Sequence, residues 1–316
     1  MRRNYPKYAT IFSIASDQCR KKGLDSITSL MGDLLPTDRV HAYLGEYAPE
    51  VAVRLLGNAS AGRRLLEEHS HFRVIGRLLE RPDERRMFDS ILVGGFEHRK
   101  LFDRVRGQDG IESYTLRSCP HCVAEDECRY GIAHWRVFHQ WPGVQACPDH
   151  GGLLHENCTD CGKPRVQGDV PLLPSDPCQH CGGTTWGPRY DAEFPVELEM
   201  ARVLWALLGI SEEDADSHRP LERYRTIANA RIVWYEAGEE GDILERVCDA
   251  LSCHDLEELA ERLEYSHLPS QTGANLNDDF CAPPILIVAC IATATQEQRG
   301  LFSAYYLMAP TPALGR

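Results

Sequence analysis

Four pairs of potential metal ligands, each separated by two residues, crowd into residues 119–181: Cys119 and Cys122, Cys147 and His150, Cys158 and Cys161, Cys178 and Cys181. Such a turn aims two side chains at one point in space, and two turns complete a tetrahedron around zinc. Pairing neighbours gives a first group of Cys119, Cys122, Cys147 and His150, and a second of Cys158, Cys161, Cys178 and Cys181. A catalytic zinc keeps one position open for water, whereas both of these sets are full, so the chemistry expected is two structural Zn2+ ions rather than hydrolysis. Cys128, His134, His139, His155 and His180 lie close enough in sequence to replace an assigned ligand, and His150 is the best-spaced fourth partner for the first group. His121 and His180, inside the turns, read as exposed loop residues. Neither an HExxH pair nor the deaminase HxE with PCxxC pattern occurs. Thioredoxin-like redox chemistry wants its CxxC between a strand and a long helix, and here further knuckles follow instead.

A disulfide scaffold is the competing reading of thirteen cysteines, but it belongs to short secreted chains, and this one has 316 residues. The opening MRRNYPKYATIFSIASDQ carries basic residues without the sustained apolar core of a secretory leader. The most apolar run, Pro283 to Ala294, is too short to span a bilayer. A cytoplasmic protein with no membrane association is therefore expected, and there paired cysteines favour metal. A zinc module of this size has little apolar core of its own. Metal would supply much of its folding free energy, a term of roughly 10–16 kcal/mol in zinc-finger peptides near neutral pH.

The elements that must hold this module are helical. Residues 1–117 read as short helices: Leu24–Met31 capped by Asp25 or Ser26, a helix capped by Thr37, one opened by Pro49 and stopped at Gly57, then Arg63–His71, Pro82–Val93 and Phe96–Arg106. Helices this short must pack on one another, and those over 24–57 have the lengths of a helix-turn-helix unit. Residues 118–190 hold the metal module, within which Arg136–Trp141 resembles a strand, and Leu153 and Leu154 should pack beneath the Cys147 knuckle. Residues 191–316 return to helices: Pro195–Gly209, Arg219–Ala237, Ile243–Leu251, Leu256–Tyr265 and Pro284–Gln296, with Cys248, Cys253, Cys281 and Cys290 read as buried thiols. The fold class expected is mainly α and multi-domain, in those three segments.

Charge is unevenly spread over the net −13. Residues 1–118 carry 20 Lys and Arg against 16 Asp and Glu, whereas residues 191–316 carry 9 against 23. Nucleic acid demands local positive charge, so candidate phosphate contacts are confined to Arg20, Lys21, Lys22, Arg63, Arg64, Arg85, Arg86, Arg99 and Lys100. Taken singly, each cluster reads as a solvated helix face beside carboxylates such as Glu67, Glu68, Asp83 and Glu84. The unit at 242–265 could be another helix-turn-helix, but Glu257, Glu258, Glu261 and Glu264 would face DNA badly, which makes it a packing or partner unit.

The run from Leu116 to Cys161 is the most specific stretch. Its CPxC, Arg129-Tyr130-Gly131, His134-Trp135, Gln140–Gly143 turn, Cys147-Pro148-Asp149-His150-Gly151 and CxxCG resemble the TniQ/TnsD family of transposon target-selection proteins. Glu67–Phe72 followed by Arg73–Leu79 is similar to the family's E-H-T-x-x-P segment, although the motif proline is absent and Ala9-Thr10 stand where an acidic pair is usual. The resemblance implies a non-catalytic adaptor that selects a target and recruits an AAA+ ATPase regulator of the TnsC/TniB type. Some members bind an attachment-site DNA themselves; others dock, often as dimers, on a CRISPR Cascade complex that supplies the address. The acidic last third favours weaker intrinsic DNA affinity. A zinc-dependent enzyme acting on nucleic acid is the alternative from another class.

Overall fold

The computed structural model describes residues 5–32, 48–72, 88–92, 116–141, 143–166, 169–184, 195–209, 242–263 and 288–289. Among them the chain is helix-rich, and strand pairing is confined to isolated bridges. The expected helix capped by Thr37, the helices at Phe96–Arg106 and Arg219–Ala237, and all but two residues of Pro284–Gln296 lie outside the described residues.

Helix α1 (Ile11–Lys22) is one that periodicity alone does not announce, because it is buried almost all round: Ser13, Ser16 and Asp17 are inside together with Ile11, Phe12, Ile14, Ala15 and Cys19. Its ends are nevertheless conventional. The Thr10 hydroxyl accepts the Ser13 N–H at 3.1 Å, and Gly23, at φ +66°, turns its own N–H back onto Arg20 and Cys19. Helix α2 (Ile27–Met31) takes Ser26 as its cap, the Ser29 N–H reaching Ser26 Oγ at 3.0 Å. A second cap comes from far along the chain, where the Asp169 carboxylate accepts the Thr28 N–H at 2.9 Å and the Asp169 carbonyl accepts that of Ile27 at 3.0 Å.

Helix α3 (Ala48–Leu56) buries Ala48, Val51, Ala52 and Leu55 on one stripe and stops before Gly57. A 3-10 turn over Ala59–Ala61 leads into α4 (Gly62–His69), whose Leu65, Leu66 and His69 face inward. A Cβ at Gly62 would lie 3.3 Å from the Ala48–Pro49 backbone, so α3 and α4 touch main chain to main chain there. Residues 88–92 are helical, and Phe88 packs on Phe72 with ring centroids 5.1 Å apart.

Helix α5 (Pro120–Tyr130) begins inside the first Cys-x-x-Cys, with Pro120 in its first turn and Gly131, at φ +78°, closing it. Arg136–Trp141 is not a strand. It forms one bridge, Ala9 to Arg136, and then tightens into a 3-10 turn over Val137–Gln140. The physical reason is that Val137, Phe138, His139, Gln140 and Trp141 are all buried, so no outward face exists to set a two-residue alternation. The Gln140 side-chain amide fastens the turn, donating to the carbonyls of Arg117 and Arg136 while its oxygen accepts the Arg117 N–H.

Helix α6 (Pro195–Gly209) lays Val196, Met200, Ala201, Val203 and Leu204 into the core, and Trp205 meets Phe138 and Tyr8 edge-on at 4.5 and 5.0 Å. Helices α7 (Asp242–Leu251) and α8 (Leu256–Arg262) form the expected two-helix unit, with Asp255 capping α8 through the Glu258 N–H. Arg262 ties it to α6 through Glu197 at 2.7 Å. Cys253 is buried and Cys248 half-buried, as thiols; Cys281 and Cys290 fall outside the described residues.

Candidate metal centres

Three of the four ligand turns are the same object. In the turns starting at Cys147, Cys158 and Cys178, the cysteine carbonyl accepts the N–H of the residue four places on at 2.8 Å in each case. The cysteine N–H in turn donates to the carbonyl five places on, also at 2.8 Å. The residue four places on is Gly151, Gly162 or Gly182, with φ of +67°, +70° and +73°. That conformation is open to glycine at no cost, which is why each knuckle reads as two ligands followed by Gly. The turn at Cys119 differs, because there the second cysteine rides on the first turn of α5, with the Val123 N–H bonded to the Cys119 carbonyl at 3.0 Å.

The turns converge in neighbouring pairs. Cys119, Cys122, Cys147 and His150 come together, as do Cys158, Cys161, Cys178 and Cys181, the ligand atoms of each set lying within 4.8 Å of one another. In the first group His150 Nδ1 stands 3.6, 3.4 and 3.5 Å from the sulfurs of Cys119, Cys122 and Cys147, and the Cys122 and Cys147 sulfurs are 3.6 Å apart. In the second, Cys158 and Cys181 approach to 3.6 Å and Cys161 and Cys178 to 3.8 Å. Bonds of about 2.3 Å from a tetrahedral ion to sulfur put the sulfurs about 3.8 Å apart, and disulfides require about 2.05 Å. Both groups therefore fit a tetrahedral metal ion, and no described cysteine is in a disulfide.

The spare candidates do not join. His121 and Cys128 are exposed on α5, His180 is exposed, and His155 is half-buried on the bridge to Ser118. His121 is helical rather than in a loop, and stacks on His150 at 5.2 Å. His134 is buried beside Asp126, 3.8 Å away. His139 is buried with its Nε2 3.9 Å from the Cys122 sulfur, outside the ligand set. Burial and the nearby Arg136 push the His139 pKa down to about 3.

Arg136 governs the electrostatics around the first group. Its guanidinium reaches Asp126 at 2.7 Å and Asp149 at 3.3 Å, with Glu125 at 3.7 Å. Burial alone would raise the Asp126 carboxyl, but His134 and Arg136 together hold it below the usual carboxylate range. Leu154 packs against the buried Cys119, Cys122 and Cys147, and Leu153 is half-buried nearby in sequence.

A seam joins this centre to the N-terminal helices. Tyr8–Thr10 runs beside Trp135–Val137, with the Thr10 N–H on the Trp135 carbonyl and the Val137 N–H on the Tyr8 carbonyl, both at 2.7 Å. The segment ending α4 closes over them: the Tyr8 N–H bonds to Glu68, His69 Nδ1 to the Ala9 carbonyl at 2.7 Å, and His71 Nε2 to the Val137 carbonyl at 3.2 Å. Sequence inspection marks these three stretches as related motifs but gives no sign that they touch. The candidate DNA contacts that are described sit beside carboxylates: Arg20 with Asp176, Lys21 with Asp17, Arg63 with Glu67, and Arg64 with Glu68. Lys22 is exposed at the end of α1, and Arg85, Arg86, Arg99 and Lys100 lie outside the described residues.

Among the described residues no helix is long and apolar enough to cross a membrane. No curated protein matches the chain by sequence. Residues 35–154 match the family model described as TniQ, a transposition-associated family, and that span contains the whole first metal group, α5 and the His69–His71 clasp. The likeness to the TniQ family is thus carried by residues 35–154.

Proposed function

We propose that this chain is a non-catalytic, cytoplasmic adaptor of a TnsABC-type bacterial transposon, holding two structural zinc ions, contacting target DNA and recruiting an AAA+ ATPase regulator of the TnsC/TniB type. The TniQ match over residues 35–154 carries the reading. The metal chemistry supports it: both ligand sets are sulfur-rich and complete, which suits a scaffold rather than an open catalytic ion. In this reading residues 1–117 carry the helix-turn-helix-like region and the basic clusters, 118–190 the metal module, and 191–316 an acidic helical segment facing protein partners.

One observation favours a second reading, in which the adaptor docks on a CRISPR Cascade complex, as a dimer, and binds little DNA itself. Arg20, Lys21, Arg63 and Arg64 already have carboxylate neighbours, so phosphate would have to compete for them. The test is elemental analysis of the purified chain followed by two binding assays. Two equivalents of zinc, capture of the ATPase encoded beside the gene and a gel shift with the chromosomal attachment site support the first reading. Capture of the ATPase and of Cascade without a gel shift supports the second. Absence of stoichiometric metal, or failure to capture the ATPase in either setting, overturns the adaptor proposal.

A further inference from the structure

The first metal group is enclosed by side chains that no ligand pattern predicts. Its imidazole ligand points Nδ1 at the three sulfurs, which commits Nε2 to carry the proton, and Nε2 lies 3.0 Å from Glu125 Oε1. A carboxylate on the far nitrogen of a ligating histidine fixes its tautomer and ring orientation and raises its basicity. Glu125 is itself within 3.7 Å of Arg136, whose other contacts are Asp126 and Asp149. Asp126 shares α5 with Cys122, and Asp149 sits in the knuckle between Cys147 and His150. One guanidinium therefore bridges both halves of the ligand set. Three thiolates and a neutral imidazole around a divalent ion leave one net negative charge, for which Arg136 is a partly buried counter-charge, its side chain 13% exposed.

The 3-10 turn explains how Arg136 is joined by a second group. The His139 N–H closes the start of that turn onto the Arg136 carbonyl at 3.1 Å, and His139 brings its Nε2 to 3.9 Å from the Cys122 sulfur. Reading 136–141 as a strand would send these two residues to opposite faces. We propose that Glu125, Arg136 and His139 are positioning residues forming an outer shell that orients His150, neutralises the thiolate cluster and makes the first metal group the slowly exchanging one. The second group has an exposed ligand, Cys181, and a half-buried one, Cys161, and exchanges faster.

The inference rests on the metal reading above, and the test separates the two. Metal release from the zinc-loaded full-length chain is followed with a chromogenic chelator, and the absorption of the cobalt-substituted chain is recorded in parallel. Glu125 is half exposed, so truncating it leaves the core intact. Glu125→Ala is expected to weaken the slow site by roughly 10- to 100-fold and to change the ligand-field bands of one cobalt of the two. Glu125→Gln, whose amide oxygen can still accept the Nε2–H, should restore most of the retention. Arg136→Met should speed the slow phase more than Arg136→Lys. The shell is overturned if Glu125→Ala keeps both metals with release rates within about twofold of the parent and an unchanged cobalt spectrum. A parent chain that purifies without metal would sink the metal reading itself, and the shell with it.

Discussion

His71 Nε2 lies 3.2 Å from the carbonyl oxygen of Val137, fastening the end of α4 to the turn beside the first metal group. The ring is buried against Trp141, with centroids 4.6 Å apart, so it donates as a neutral imidazole. Burial pushes the His71 pKa down to about 4, against the Val137 hydrogen bond, and burial likewise takes His69 to about 4. Folded values below the ordinary 6.5 mean that the unfolded chain binds more protons. Stability is therefore present above pH 6.5 and lost as the pH falls from there toward 4. His71→Gln keeps a donor and removes the titration. Urea unfolding across that window should show the variant losing stability less steeply, by about 1.4 kcal/mol per pH unit. Equal slopes would mean that His71 does not contribute.

The three glycine knuckles give a second test. A Cβ on Gly162 or Gly182 would meet nothing within 4 Å, so replacing either with Ala costs only the left-handed backbone, about 1–2 kcal/mol. Because that conformation is needed to close the second metal group, the penalty should appear as metal affinity weakened by about 5- to 30-fold at that group alone. Gly131→Ala is the control: it carries a similar φ at the end of α5 and no knuckle, and should lower stability while leaving second-group affinity unchanged. Competition with a chelator of known affinity reads both.

Removing a ligand should have unequal consequences at the two groups. Cys147 is fully buried beside Cys119, Cys122 and Leu154, on a module whose Trp135, Phe138 and Trp141 belong to the same apolar core as α1, α3 and α4. Cys147→Ser should cost several kcal/mol, lose one metal and lower helical circular dichroism together with it. Cys181→Ser, at an exposed ligand, should release the other metal while most helical signal persists. Parallel loss of structure in both variants would contradict the asymmetry.

Much of this arrangement is legible in the residues. The ligand partition follows from two-residue spacing, and the glycine after His150, Cys161 and Cys181 announces the knuckle. Ser26, Pro49 and Pro195 mark helix starts because capping and missing N–H groups are local properties. What stays hidden depends on contacts distant in sequence. Helix α1 has polar residues inside because Ser13 exchanges hydrogen bonds with the Trp135 backbone, which no window of twenty residues contains. The turn at 137–140 looks extended by composition, yet the amide of Gln140 and burial on every side override that preference. Glu125 and Arg136 resemble ordinary surface polar residues, and His139 only a spare ligand, until the fold sets them around His150 and Cys122.

The loop between the two knuckles of the second group carries the last prediction. Asp176 pairs with Arg20 through both carboxylate oxygens, and Asp169 caps α2, so this loop is laid along the N-terminal helices. The Arg20 side chain is 45% exposed, which keeps its ion pair worth at most about 1 kcal/mol and leaves it open to competition. If Arg20 contacts phosphate, it must exchange Asp176 for it. Asp176→Asn should then raise affinity for duplex DNA several-fold at low salt, and Arg20→Gln should lower it and reduce the salt slope by about 1. Asp176 also accepts the Leu173 N–H at 2.7 Å, a bond the Asn oxygen can keep, so loop geometry should survive. Fluorescence anisotropy with a labelled duplex at several salt concentrations reads each change, and DNA affinities that are the same in all three proteins would remove Arg20 from the interface.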